Sequence, residues 1–95
     1  FVCNCDLTAR ALVECLRGKG LRVPEDISVV GYDDFNNVPG SLPLTTFRVD
    51  FHSMAHLAVK MITDRCAGLQ RPFGRVVVSG QPIYRDSERA LSAEE

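Results

Sequence analysis

Residues 20–34 read GLRVPEDISVVGYDD, and this stretch decides how the rest of the chain is interpreted. Its proline at position 24 predicts a turn, because proline disfavours helix both at its own position and just before it. The apolar run over 27–32 then predicts a buried strand. That strand ends in two adjacent carboxylates, Asp33 and Asp34. In an open α/β sheet, ligands bind beyond the carboxyl ends of the strands, so the stretch predicts a ligand-facing edge as well as a strand.

A strand and a helix precede this stretch. Residues 1–5 read as the second half of a strand, and 7–18 carry the apolar stripe of an amphipathic helix, with Asp6 as its predicted N-cap. Strand, helix and strand in about 30 residues predict a right-handed βαβ unit with parallel strands. Since parallel strands end at the same edge, Asn4 and Cys5 are expected beside Asp33 in one crevice.

The remaining elements follow the same rules. Asp50 is a suitable N-cap for a second helix, whose apolar face is expected to pack on another apolar surface. The polar tail after position 85 is expected to fray at its end. The predicted ranges are a strand at 44–49, a helix at 51–67, a buried strand at 75–79 and a further strand at 83–85.

Composition excludes several classes of protein. The 95 residues, 45% hydrophobic and 24% charged, suit one small globular domain or part of one. Eleven basic and twelve acidic residues are scattered and nearly cancel, so this segment is not expected to bind nucleic acid itself. With neither a bilayer-length apolar run nor a signal-peptide pattern, we expect a cytoplasmic location and no membrane partner.

The spacing of the cysteines and histidines does not predict a metal site. The four cysteines are expected to be buried, reduced thiols, and the C-x-C at 3–5 lacks a second pair of ligands. His52 and His56, four apart on one face of the second helix, could supply half the ligands of a zinc site but are interpreted as a solvated pair. We therefore expect no metal and no cofactor.

Four motifs carry a family resemblance. They are CDLTA at 5–9, GLRVPEDISVVGYDD at 20–34, PLTT at 43–46 and RDS at 85–87. In this order the chain resembles the lactose/galactose repressor (LacI/GalR) family. The resemblance implies an α/β fold: a fragment of a periplasmic-binding-protein-like, two-lobed core with a parallel, Rossmann-like sheet flanked by helices.

The resemblance also implies a domain arrangement. Residues 1–88 would be the C-terminal part of the effector-binding and oligomerisation core, and the chain would cross between the lobes near 47–51. Residues 89–95 would be a polar tail. The family's N-terminal DNA-binding headpiece would be absent from these residues.

The same resemblance implies an effector site. Asp33 matches the family's acidic effector contact, and Cys5 stands where an asparagine is common, so that Asn4 is the candidate for a displaced donor. Phe51, after the crossover, would offer an aromatic face to a sugar ring, whereas Val49, often polar in relatives, donates nothing. Simpler roles remain open: Asp33 as a cap of the following loop, Phe51 as core, and Cys5 as a small packed residue.

The expected function is effector sensing in a LacI/GalR-type transcription regulator. A small molecule, a sugar or related metabolite, would bind between the lobes and change the affinity for operator DNA, which the missing headpiece contacts. A homodimer or higher self-association is expected. The alternative is a periplasmic-type sugar-binding protein of a transporter. Catalytic residues are not expected, because Asp33 and Asp34 are sequential on a strand and point to opposite faces.

Overall fold

Two helices and two short strands are the regular elements of the computed structural model, which describes residues 1–35, 38–69 and 75–92. They are α1 (Asp6–Gly18), β1 (Thr46–Arg48), α2 (Phe51–Cys66) and β2 (Gln81–Ile83). The chain divides into two compact units. Unit 1 comprises Phe1–Val49 and Gln81–Glu95, and unit 2 comprises Asp50–Gly80.

Residues 29–33 form the centre of unit 1, with a parallel neighbour on each side. Val2 and Thr45 both form parallel bridges with Val30, and Asp33 bridges to Arg48. The Val30 carbonyl accepts from Cys3 N–H at 2.8 Å. The predicted parallel arrangement is therefore present, and the segments that precede Cys5, Asp33 and Val49 run in the same direction.

The predicted parallel strands are, however, shorter than expected. Residues 27–32 do not form a continuous strand: Val30 makes isolated bridges to Val2 on one side and to Thr45 on the other. Of the strand predicted at 44–49, Thr46–Arg48 is regular. Its partner in the sheet is β2, which runs antiparallel with Thr46 opposite Ile83. β2 thus starts two residues before the predicted 83–85.

The core of unit 1 lies between α1 and the central segment. Ala9, Val13 and Leu16 recur at spacings of four and three, which places them on one face of α1, and all three are buried. They pack with Val29, Leu44 and Val23. The predicted bounds of α1 are nearly right, but Asp6 is not its N-cap: Cys5 takes that position, and Asp6 is the first helical residue.

Unit 2 differs most from expectation. Asp50 caps α2 as predicted, accepting from Ser53 N–H at 3.0 Å, and the helix ends one residue early. None of the residues of α2 is buried, so the expected apolar packing of this helix is absent from the described residues. The strand predicted at 75–79 was also wrong, since the segment is irregular and Val76 and Val77 are 59% and 74% exposed.

Three smaller expectations need correction or lie outside the description. The four cysteines are free thiols, but none is buried: Cys3 and Cys5 are half-buried, and Cys15 and Cys66 are exposed. Ser87, placed in the polar tail, is fully buried, donating to the Val29 carbonyl and accepting from Thr45 N–H at 2.8 Å. Residues 36–37 of the predicted loop and 93–95 of the tail lie outside the described residues.

Candidate functional site

Asp33 lies where the central segment of unit 1 ends. Its N–H donates to the Phe47 carbonyl at 2.9 Å, and its carbonyl accepts from Val49 N–H at 3.4 Å, so β1 and the residue after it hold both backbone groups. The residue is half-buried, with φ at 109°. Such a conformation is strained for a residue with a side chain and persists only when its surroundings enforce it. The Asp33 carboxylate itself makes no hydrogen bond or ion pair within the described part of the chain.

Cys5 and Asp33 are brought together, as the parallel arrangement predicts. Cys5 is the extended residue that begins α1, and its thiol lies 3.3 Å from the Thr8 hydroxyl. Hydrogen bonds from Thr8 lower the pKa of the Cys5 thiol, whereas the nearby Asp33 carboxylate acts in the opposite direction. Asn4, the third predicted contact, is exposed at the same edge. The site therefore combines a carboxylate and a thiol with a neighbouring amide.

Asp34 has a different environment from Asp33. Its side chain is only 6% exposed and accepts a hydrogen bond from Arg48 Nε at 2.8 Å. Arg85 Nη1 forms an ion pair with the other carboxylate oxygen at 2.7 Å. The hydrogen bond that this nitrogen donates goes to the Leu44 carbonyl. The contact with Arg85 is the largest cause that holds the pKa of Asp34 below its usual value; burial opposes it. The sequence pattern placed Asp34 at the end of the predicted strand and did not reveal this cluster.

Asp6 was also misjudged by the sequence pattern. Its buried carboxylate accepts from the Thr46 hydroxyl at 2.7 Å and from Phe35 N–H at 3.2 Å. It thereby ties α1 to β1 and to the turn that follows Asp34. A carboxylate at this position can approach the central segment because residue 31 is glycine, where a Cβ would collide with the Asp6 side chain.

An aromatic pair lies next to Asp33. The rings of Tyr32 and Phe47 are stacked, with centroids 5.5 Å apart and planes within 6°. The pair connects the central segment to β1, and Tyr32 remains 44% exposed. No sequence pattern identifies this contact, because it depends on the register between two segments about fifteen positions apart in the chain.

The remaining predicted residues belong to α2 in unit 2. Phe51 is the first residue of α2 in unit 2 and is 49% exposed, which does not support its alternative role as core. His52 and His56 are exposed on α2. Within the described ranges, no group of three or more His, Cys, Asp or Glu side chains is placed to hold a metal ion. No helix there has the length and apolar character to cross a membrane.

A cavity of about 200 Å³ lies elsewhere in unit 1. Arg10 of α1 and Arg85 line it, together with residues of the segment 38–44. None of the site residues predicted from the sequence lines this cavity. It is therefore a feature distinct from the edge at Asp33.

A curated relative has a similar sequence. The HTH-type transcriptional repressor PurR of Haemophilus influenzae is 33% identical over 96 residues, which cover 96% of this chain and 28% of that protein. Two solved structures have the same fold. The transcriptional regulator CelR in complex with cellobiose gives a TM-score of 0.83 at 31% identity, over 90% of this chain and 27% of that one. The Lac repressor dimer bound to operator and the anti-inducer ONPF gives a TM-score of 0.84 at 29% identity, over 94% of this chain and 31% of that one.

Each alignment includes nearly all of this chain but less than a third of the relative's length. The family model described as the periplasmic binding protein-like domain matches residues 1–88. This match agrees with the parallel arrangement of unit 1. The chain belongs to the periplasmic binding protein-like domain family, in the form found in LacI-type transcription regulators.

Proposed function

We propose that this chain is the effector-sensing part of a transcription regulator and that the edge at Asp33 binds a small, neutral, polyhydroxylated molecule. The observation that carries this proposal is the Asp33 carboxylate, which is half-buried, fixed by its backbone and unpaired within the described residues. The cellobiose complex of CelR supports a sugar as the effector class.

The chemistry of the site suits such a ligand. A carboxylate accepts two hydroxyl hydrogens, and each charge-assisted bond contributes about 1.5–3 kcal/mol. Cys5 and Asn4 would lie at the rim. Binding is favoured over hydrolysis because Asp34, the only neighbouring acid in sequence, is occupied by two arginines and cannot share acid and base roles with Asp33.

Regulation would follow from differential binding. A ligand shifts a conformational balance only by the difference in its affinity for the two states, and the coupling free energy is typically about 1–3 kcal/mol. Operator DNA would be contacted by another part of the whole protein, acting as a homodimer in the cytoplasm. The relatives are transcription regulators, which favours this reading over a sugar-binding protein of a transporter.

The test uses the whole natural protein that contains this chain. Calorimetric titration with cellobiose, lactose and sucrose is expected to detect binding of at least one of them, and Asp33→Asn is expected to weaken it by tenfold or more. The control is Asp26→Asn, which removes an exposed aspartate that pairs with Arg22 in the turn at 22–26. Equal binding by the Asp33→Asn protein would refute the proposed site, and failure of all three disaccharides to bind would refute the effector class.

A further inference from the structure

Two guanidinium groups lie close to the proposed effector site, and neither pairs with Asp33. Arg48 is the bridge partner of Asp33 across the parallel segments, where neighbouring backbones are about 4.8 Å apart. Even so, its Nε donates to Asp34 at 2.8 Å. Arg85 contacts the other oxygen of Asp34 at 2.7 Å. The single buried carboxylate of Asp34 therefore engages both arginines that lie near the turn.

The charges around this turn show what Asp34 prevents. Among the described residues, the charged side chains with contacts at or beside this turn include Asp33, Asp34, Asp6, Arg48 and Arg85, and the Cys5 thiol is close by. Asp6 is occupied by Thr46 and Phe35. If Asp34 carried no charge, Asp33, the bridge partner of Arg48, would be left as a carboxylate that this guanidinium could engage. Its oxygens would then hold a guanidinium and not the hydroxyl groups of a ligand, because a bidentate arginine–carboxylate pair occupies both oxygens.

We infer that Asp34 is a positioning residue that sets the ligand class of the site: by engaging Arg48 and Arg85, it keeps the Asp33 carboxylate unpaired and able to accept hydroxyl groups of a neutral ligand. The inference rests on the proposed function. It goes beyond it by assigning specificity to an ion-pair cluster around the buried Asp34 carboxylate, a cluster that does not touch the ligand.

The first test is a rescue experiment on the whole natural protein. With whichever of cellobiose, lactose or sucrose binds the unsubstituted protein, Asp34→Asn is expected to weaken binding about tenfold or more. Adding Arg48→Met removes the released guanidinium and is expected to restore most of the affinity. A purely structural role predicts a further loss in the double variant, so the absence of recovery would overturn the inference. Asp26→Asn, which also breaks an arginine pair, serves as the matched control.

The second test needs no ligand. Solvent exchange of the Arg48 Nε–H, followed by NMR, is expected to stay slow in Asp34→Asn because the guanidinium moves to Asp33, and to become fast when Asp33→Asn is added. Fast exchange in Asp34→Asn alone would overturn the inference. The exchange measurement tests the role of Asp34 even if none of the disaccharides binds. Failure of the disaccharides to bind counts only against the proposed function.

A third variant covers the case in which Asp34→Asn does not fold. Asp33→Asn in the otherwise unsubstituted protein changes a half-buried side chain without a partner, and it is expected to leave the Arg48 Nε–H exchange rate unchanged. Faster exchange in that variant would show that Arg48 already pairs with Asp33, which contradicts the inference.

Discussion

Single residues in unit 1 are fixed by contacts that a linear pattern does not contain. Asp6 has the sequence context of an N-cap, yet its carboxylate bonds to Thr46 and Phe35, which are 40 and 29 positions away. The approach depends on Gly31, because a side chain there would occupy the space of the Asp6 carboxylate. The Asp6 side chain in α1 therefore requires glycine at position 31, far from it in sequence.

Gly31→Ala is expected to destabilise the whole protein by about 1–3 kcal/mol, the usual cost of forcing extra volume into a packed interior. The added Cβ would also meet the Asp6 Cα at 3.3 Å, and this backbone atom cannot move aside without shifting α1. The measurement is the free energy of unfolding in urea.

Gly18→Ala is the matched control for that substitution. A Cβ at position 18 meets nothing within 4 Å, so this change is expected to be neutral or stabilising by about 0.4–1 kcal/mol. Equal effects of the two substitutions would contradict the proposed contact between Asp6 and the central segment.

At the scale of elements, Asp34 connects three parts of unit 1. It belongs to the turn after the central segment, Arg48 is the last residue of β1, and Arg85 follows β2 by two residues. Removing one partner of a buried ion pair leaves an uncompensated charge, which is more costly than replacing the whole pair. The cluster therefore stabilises the relative placement of the turn and both strands.

This cluster predicts a pH dependence. Because the folded state lowers the pKa of Asp34, its stabilising contribution is complete above the ordinary carboxyl value of about 3.9 and is lost as the pH falls through the lowered folded-state value. The difference in unfolding free energy between the unsubstituted protein and Asp34→Asn should therefore be largest near neutral pH and shrink below about pH 4. Urea titrations at a series of pH values measure it, and a difference independent of pH would contradict the ion-pair assignment.

At the scale of the whole molecule, unit 2 exposes apolar side chains that a stable domain normally covers. Val59 and Ile62 are three apart on α2 and each 63% exposed, and Val76 and Val77 are exposed beyond the helix. Residues at this spacing are neighbours on a helix surface. An exposed apolar face of this kind favours association.

The 95-residue chain on its own is therefore expected to self-associate as its concentration rises, as measured by sedimentation velocity. Replacing Val59 and Ile62 together by lysine should reduce the association. Thr63→Lys, at an exposed polar position of the same helix, should leave it unchanged. A monomer at every concentration would contradict this prediction.

The sequence by itself determined those features that depend on neighbours close along the chain. The 3.6-residue period located both helices to within one or two positions, and Asp50 correctly marked the start of α2. The apolar run before Asp33 predicted a parallel segment with Cys5 beside it. Tertiary structure decided the rest. It alone shows that Asp34 and Asp6 are held by distant partners, that Ser87 is buried, and that Val76 and Val77 are exposed. Burial and ion pairing depend on which remote segments meet, and a local pattern carries no information about that.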